Sequence, residues 1–283
     1  MRLTRRTAFG FGALLGGVLG LVGLARAQSP PRGAGDAGEA DAGTPDADEA
    51  DAVLGWLPRP TGQGAAGAGR VALPGAVFRM GSRTVRVGPF ALGRTEVTVG
   101  QYRRCVEAGR CRPAPDPTGQ MTLPAHRDHP VVNVTHAMAA AYCAWEGGRL
   151  PTDAEFSLAA AGVEGRRFPW GTRAADCTLA AMAGCTTGPQ RVGQRAGGAT
   201  PEGIHDLAGN VAEWVADRPA TGGRPSVGEG PVRDPVGAGG GEMRVVRGGS
   251  FRAGPRGLLT VSREVVRETE ARVDLGFRCA QAL

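Results

Sequence analysis

The sequence of 283 residues predicts an α+β fold, with a single compact, loop-rich domain over residues 70–283 and little regular secondary structure. Three observations lead to this prediction. Helical periodicity is confined to three short segments, and short alternating runs typical of strands lie on both sides of them. The chain contains 47 glycines and 21 prolines, which interrupt regular elements. Six cysteines, all after residue 100, are typical of an exported protein with disulfides.

The predicted strands are short runs in which apolar and polar residues alternate. Residues 75–81 and 85–92 form a strand pair at the start of the domain, and the second run passes through Gly88-Pro89. Further runs with strand character follow the helices, at residues 244–247, 261–266 and 276–279. We find no internal repeat, so one domain is expected rather than two.

The three predicted helices have clear starts and stops. Two of them open on a capping box, in which a threonine is followed three residues later by Gln or Glu. The boxes are Thr98 with Gln101 and Thr152 with Glu155. Gly109 and Gly162 end these two helices. The remaining helix is expected from about residue 135 to residue 145, where two glycines stop it.

The first 69 residues are expected to lie outside the domain. Residues 1–27 have the form of an export signal, because arginines precede an apolar run and Ala25-Arg26-Ala27 offers a cleavage site. Arg5-Arg6 also resembles a twin-arginine signal, although Phe9 lies one place late for that pattern. An uncleaved membrane anchor is the alternative, since the apolar run approaches spanning length. Residues 28–69, rich in Ala, Gly, Pro and Asp, are predicted to be a disordered linker.

The charge pattern argues against a nucleic-acid-binding protein. The formal net charge is +6, and every one of the 33 lysine-plus-arginine positions is an arginine. These arginines are dispersed and aromatic residues make up 5% of the chain, unlike a basic surface with interleaved aromatics. We therefore expect an exported protein, periplasmic or extracellular, with no nucleic-acid partner and no membrane contact beyond the export signal.

The cysteine spacing predicts three disulfides. Two pairs of cysteines bracket short loops, Cys105 with Cys111 and Cys177 with Cys185. Cys143 and Cys279 are then partners by elimination and would close a long loop. A zinc site would require Cys-x-x-Cys pairs or nearby histidines, and neither occurs. The sequence alone leaves other pairings open.

Seven segments, in their order along the chain, resemble the formylglycine-generating (sulfatase-modifying factor) family. They are residues 93–98, 129–134, 148–155, 168–171, Gly209-Asn210-Val211-Ala212-Glu213-Trp214, Arg247-Gly248-Gly249-Ser250-Phe251 and 275–280. The resemblance covers the chain from about residue 73 to residue 280. It implies the fold of that family, which is distantly related to the C-type-lectin fold. It also implies the disulfide between Cys143 and Cys279.

The sequence differs from the family at the two residues that perform the family's chemistry. Active members have two redox cysteines after the Gly-Gly-Ser, which bind copper(I) and activate oxygen. Those positions hold Ala253 and Leu258 in this sequence. Copper(I) is soft and prefers thiolate ligands, and residues 248–271 contain no cysteine, methionine or histidine. We therefore expect no copper and no catalytic residue of this kind. His136 and Ala212 also stand where the family usually has tryptophan.

A structural calcium ion is implied by the Gly-Asn segment. The family's ligands, carried over by motif, are the side chains of Asp206 and Glu213 and the carbonyls of Gly209 and Val211. Calcium takes this mixture of carboxylate and main-chain oxygens. From the spacing alone the signal is weak, and a capped turn is the favoured interpretation. The family's second calcium site is not expected, because Thr178 stands where it has asparagine.

The expected function is binding rather than oxidation. We expect the groove of this fold to take an extended peptide or another extracytoplasmic ligand, with Ser250 and Arg252 as candidate groove residues. The charged residues from 263 to 272 are typical of a solvated segment, although they can also line a groove. The alternative is an enzyme of the same family, sulfatase-modifying or pyoverdine-maturation-like, with a different site chemistry. A structural module of an envelope complex is a third hypothesis. The ergothioneine-type branch holds iron with three histidines, and the four histidines here lack such spacing.

Overall fold

Short helices and three small β-sheets make up the part of the chain that the structure describes. The structure, a computed structural model, describes residues 69–117, 119, 122–219, 231–237 and 239–283. The α+β class predicted from the sequence is confirmed. The predicted export signal at residues 1–27 and linker at residues 28–69 lie outside the described residues, except for Gly69. Among the described residues no helix is long and apolar enough to span a membrane.

The helices and strands have the following bounds. The helices are α1 (Val99–Glu107), α2 (His136–Trp145) and α3 (Asp153–Ala161). The first five strands are β1 (Arg70–Leu73), β2 (Ala76–Met80), β3 (Arg83–Val87), β4 (Phe90–Gly93) and β5 (Ala212–Trp214). The next five are β6 (Val232–Arg233), β7 (Met243–Arg247), β8 (Glu264–Arg267), β9 (Leu275–Gly276) and β10 (Ala280–Ala282). The sheets have the orders β1-β4-β10, β2-β3-β6 and β8-β7-β5-β9.

The three predicted helices are present with the predicted caps. In both capping boxes the threonine hydroxyl accepts the backbone N–H three residues later, and the Gln or Glu side chain accepts the threonine N–H. At α2, the Thr135 hydroxyl accepts the N–H of Met138. Gly109 follows the end of α1 with a φ of 68°, a conformation that favours glycine. These helices were predictable because their signals are local.

The strand predictions needed correction. The run at 85–92 is two strands, β3 and β4, because Pro89 has no N–H with which to continue a ladder. The predicted run at 261–266 is shifted towards the C-terminus, to β8. The predicted strand at 276–279 is replaced by β9 and β10. Residues between these two strands bond instead to the chain after β4, where Val97 N–H donates to Phe277 O at 2.9 Å.

The largest apolar cluster lies between α1, α2 and the four-stranded sheet. Its fully buried aromatic residues are Tyr142, Trp214 and Phe277. The Trp214 Nε1–H donates to Val134 O at 3.0 Å, so the indole is both buried and hydrogen-bonded. A second cluster surrounds Phe156 of α3, and a third contains Leu258.

The three predicted disulfides are confirmed. Sulfur–sulfur bonds join Cys105 to Cys111, Cys143 to Cys279, and Cys177 to Cys185. The second of these links α2 to the segment before β10, across 136 positions of sequence and inside the largest apolar cluster. Three disulfides are consistent with an oxidising, extracytoplasmic compartment.

His136, at the first position of α2, is a buried histidine beside the core. Its ring lies edge-on to Trp214 with centroids 5.6 Å apart, and its Nε2 lies 3.1 Å from Val215 O. Burial, and then the charge of Arg244, lower the pKa of His136 from 6.5 to about 4. The folded protein therefore keeps this ring neutral where the unfolded chain protonates it.

Loss of the long disulfide should destabilise the domain more than loss of a short one. The chain-entropy model gives about 5 kcal/mol for the loop of 136 positions and about 2 kcal/mol for the loop of six. Denaturant unfolding of a Cys143→Ala/Cys279→Ala variant tests this, with Cys105→Ala/Cys111→Ala as the matched control. Equal losses of unfolding free energy in the two variants would contradict the model.

The protein should lose stability through His136 as the pH falls. Because the pKa is about 4 in the folded state and 6.5 in the unfolded chain, the unfolded state binds the extra proton between these values. The unfolding free energy should therefore drop by about 3 kcal/mol between pH 6.5 and pH 4 on this account. Urea unfolding of the wild type and of His136→Gln is compared over this window, and His136→Gln should show the flatter pH dependence. An unchanged slope in His136→Gln would rule out His136 as its source.

Candidate functional site

A cavity of about 380 Å³ lies beside the loop that follows β7. Its walls come from Ala212 of β5, from β7, from the loop after β7, from residues 262–264 at the start of β8, and from the segment before β9. The loop contributes residues 249, 250, 252, 253 and 257, and the last segment contributes residues 272 and 274. We call it the β7–β8 cavity. Both predicted groove residues, Ser250 and Arg252, line it.

The Gly248-Gly249 pair shapes the loop that carries these residues. Both glycines have a left-handed φ, 85° and 68°. A Cβ atom at Gly249 would lie 2.7 Å from Gly257 O, closer than real Cβ contacts. Glycine is therefore required for the loop to fold back on itself, and this return brings Ser250 to the cavity wall.

Ser250 ties the loop to the opposite wall of the cavity. Its Oγ–H donates to Asp274 Oδ2 at 2.9 Å, and its Oγ accepts the N–H of Arg252 at 3.2 Å. Asp274 Oδ1 in turn accepts from Arg272 Nε at 3.1 Å. Ser250 is thus a buried positioning residue that fixes the backbone of Arg252.

Arg252 presents an exposed guanidinium at the cavity. Its guanidinium carbon lies 5.3 Å from the centroid of the Phe251 ring, a cation–π distance. Within the part of the chain that the structure describes, Arg252 has no carboxylate partner. The other three arginines of the lining, Arg247, Arg263 and Arg272, all have one.

Asp153, which sequence reasoning missed, connects the cavity to α3. Arg247 Nη1 donates to Asp153 Oδ1, and Arg263 Nε donates to Asp153 Oδ2 at 2.6 Å. Arg247 is 1% exposed and its Nη1 also donates to Ser157 Oγ at 3.0 Å. Its Nε has no acceptor among the described residues. The capping box at Thr152 placed Asp153 at a helix start, but no sequence signal pointed to its partners.

The two positions that the resemblance assigns to redox cysteines differ in exposure to the cavity. Ala253 lines the cavity and also packs against the third apolar cluster. Leu258 is 1% exposed and packs in the third apolar cluster, with Phe168 and Met182. Among the described residues that line the cavity there is no cysteine, methionine or histidine. Its groups can bind a ligand by charge and by hydrogen bonds.

The Gly-Asn loop lies against the cavity loop. Gly209 N–H donates to Gly248 O at 3.0 Å, and Phe251 N–H donates to Asn210 O at 2.8 Å. Asp206, Gly209 and Asn210 all have a left-handed φ, between 57° and 88°. The sharply folded Gly-Asn loop is therefore held to the Gly-Gly-Ser loop by two main-chain hydrogen bonds.

Three of the four predicted calcium ligands, Asp206, Gly209 and Val211, are in this loop, and the fourth, Glu213, lies on β5 directly after it. Asp206 Oδ2 accepts the N–H of Gly193 at 2.6 Å. Both carboxylate oxygens of Glu213 accept from Arg278, from Nε and from Nη2, at 2.7 Å. Each carboxylate oxygen has lone pairs left for a further contact. Val211, whose carbonyl is another predicted ligand, is completely buried.

Glu96 is a buried acid beside this loop that sequence reasoning missed. Its Oε1 accepts from Asn210 Nδ2 at 3.0 Å, and its Oε2 has no partner among the described residues. Burial, followed by the charges of Asp206 and Glu213, raises the pKa of Glu96 well above its usual range. An ionised Glu96 would add a third carboxylate to the charges that interact with Arg278, so the neutral acid is favoured unless a further cation binds beside it.

The donor set fits calcium better than a softer metal. Carboxylate and carbonyl oxygens are hard ligands, which calcium prefers. Among the described residues, no three His, Cys, Asp or Glu side chains converge closely enough to hold a metal ion. Calcium at this loop would therefore take part of its coordination from main-chain carbonyls, as predicted for Gly209 and Val211.

The architecture is that of the formylglycine-generating fold. The solved structure of PvdO from Pseudomonas aeruginosa aligns with a TM-score of 0.60 and 23% identity, over 76% of this chain and 94% of that one. The chain belongs to the family of sulfatase-modifying factor enzyme 1-like domains, which it matches over residues 58–283. The family resemblance inferred from the sequence is thereby confirmed.

Relatives within this family have enzyme names. The hercynine oxygenase of Mycolicibacterium thermoresistibile is 34% identical over 204 residues, 60% of this chain and 46% of the relative. The formylglycine-generating enzyme of Streptomyces coelicolor is 28% identical over 287 residues, 75% of this chain and 88% of the relative. The chain spans about half the length of the hercynine oxygenases that it matches.

Proposed function

We propose that this protein is a binding domain of the formylglycine-generating fold that lacks the family's copper-dependent oxidase chemistry. On this proposal the β7–β8 cavity takes an extended peptide or another extracytoplasmic ligand. The protein is then a pseudoenzyme that is exported, and the three disulfides support an oxidising compartment.

The composition of the cavity wall carries the proposal. Where the resemblance expects a thiolate at the cavity, the chain has the methyl group of Ala253. Soft copper(I) requires thiolate or thioether ligands, and the lining offers guanidinium, carboxylate and hydroxyl groups. These groups recognise polar ligands by charge and hydrogen bonding.

Filling the cavity should abolish ligand binding. The full chain is incubated with an array of extended peptides and glycans, and Ala253→Leu, which adds bulk at the cavity wall, is compared with Ala183→Leu. Ala183 is exposed and does not line the cavity, so its variant controls for the added apolar surface. We expect Ala253→Leu to lose at least about tenfold in affinity, because the ligand and the leucine cannot share the space. Binding that survives in Ala253→Leu would place recognition elsewhere.

A second candidate function is catalysis by a different site chemistry. The observation in its favour is that two relatives over this domain are named as enzymes. Oxygen uptake by the full chain with copper(I) and a sulfatase-derived peptide tests whether the family's own oxidase reaction persists. The binding proposal expects no uptake and no aldehyde product, and turnover would contradict it.

We further propose a structural calcium ion at the Gly-Asn loop. Asp206 and Glu213 would supply carboxylate oxygens, and Gly209 and Val211 would supply carbonyls. The buried Glu96 supports this proposal, because its Oε2 has no partner among the described residues and a cation beside it would favour its charged form. Bound there, calcium would neutralise that charge and stabilise the loop that adjoins the cavity.

Calcium should raise the melting temperature of the chelator-treated protein. At a concentration one hundred times Kd, binding adds about 2.7 kcal/mol, or very roughly 5–10 °C for a domain of this size. The increase should vanish in Asp206→Ala but remain in Asp128→Ala, an exposed acid paired with Arg191. Each variant is compared with itself, with and without calcium, so a lower starting stability does not obscure the result. A wild-type protein that does not respond would refute the site.

A further inference from the structure

We infer that the β7–β8 cavity selects acidic peptides, with Arg252 binding a ligand carboxylate. The inference rests on the proposed binding function and gives it a substrate class. The inference follows from a comparison of the charged side chains in the lining: some are already paired within the protein, and Arg252 is not.

Arg252 is the lining arginine that is available to a ligand. Arg272 holds Glu264 through both terminal nitrogens and Asp274 through Nε. Arg247 and Arg263 share Asp153. Arg252 has no carboxylate partner in the part of the chain that the structure describes, and its side chain is exposed. A ligand carboxylate would complete the one pair that the lining lacks.

The acids of the cavity lining offer little opposition to an incoming carboxylate. The part of the lining that the structure describes contains two, Glu264 and Asp274. Arg272 bonds to both, and the hydroxyl of Ser250 also donates to Asp274. Their negative charge is therefore compensated within the protein. The charge of Arg252 is not.

A second arginine of the cavity wall also favours an acidic ligand, because one of its hydrogen-bond donors has no acceptor. Arg247 lines the cavity, is 1% exposed, and has an Nε–H with no acceptor among the described residues. A buried donor without a partner is costly, so an acceptor supplied by a ligand or by water would stabilise it. Arg263 adds a further guanidinium whose side chain is 40% exposed.

The guanidinium of Arg252 is held in a way that suits carboxylate recognition. Ser250 fixes its backbone, and the Phe251 ring lies beneath the guanidinium. A planar, oriented guanidinium binds a carboxylate through two parallel hydrogen bonds. The volume of about 380 Å³ suffices for a side chain with part of its backbone. The apolar wall at Val246 and Ala253 would accommodate the aliphatic carbons of the ligand.

The test is an array of end-blocked peptides that differ at one central residue, Asp or Asn. Blocked ends remove the terminal charges, so the two peptides of a pair differ in charge only at the central residue. We expect the full-length wild type to retain the Asp peptides at least about tenfold better than the Asn peptides, since hydrogen bonds to charged groups are the stronger ones. Arg252→Gln should lose this preference. Arg256→Gln is the matched control, because Arg256 is exposed on the same loop and does not line the cavity.

A second probe separates the inference from the proposed function. Glutarate and the neutral glutaramide are compared for their effect on the melting temperature of the same three proteins. We expect glutarate, and not glutaramide, to stabilise the wild type and Arg256→Gln but not Arg252→Gln. If glutarate acts in this way and no peptide is retained, the carboxylate site stands and its ligand is a small free acid rather than a peptide. Equal retention of Asp and Asn peptides, or an acid preference that persists in Arg252→Gln, would overturn the inference while leaving peptide binding intact.

Discussion

The rest of the domain depends on the buried ion pair between Glu213 and Arg278. Both side chains are completely buried, and two hydrogen bonds of 2.7 Å join them. Arg278 also donates to Gly93 O and to His205 O, so one side chain satisfies acceptors from three distant segments. Such a pair contributes little net stability compared with an apolar core, but removing one partner leaves a buried charge unpaired. The pair therefore fixes which segments meet.

Main-chain hydrogen bonds connect the segment beside this ion pair to the loop that lines the cavity. Glu213 lies on β5, directly after the Gly-Asn loop, and that loop bonds to Gly248 and Phe251. The Gly-Gly-Ser loop then places Ser250 and Arg252 at the cavity wall. Ser250 and Arg252 thus lie on a loop that two main-chain hydrogen bonds anchor to the Gly-Asn loop, and a selective binding site requires support of this kind.

The sequence predicted those features whose causes are local or whose motifs are shared with a family. The caps of α1 and α3 involve residues three apart, and the family motifs were sufficient to single out Ser250, Arg252 and the Gly-Asn loop. Strands such as β5 and β6 are too short for alternation to reveal them. The partners of Asp153 lie 94 and 110 positions away, so only the folded chain could identify them. Glu96 was missed for the same reason, because its bond to Asn210 spans 114 positions.

The disulfide between Cys143 and Cys279 has a consequence for the order of events during biosynthesis. A chain that emerges from its N-terminal end can close the bonds at Cys105–Cys111 and Cys177–Cys185 as soon as each short loop appears. The thiol of Cys143 must wait while 136 further positions are made. During that interval it can attack its oxidised neighbours and form mixed, non-native bridges. Efficient maturation therefore favours early burial of α2, or an isomerase that reshuffles the wrong bridges before the final segment arrives.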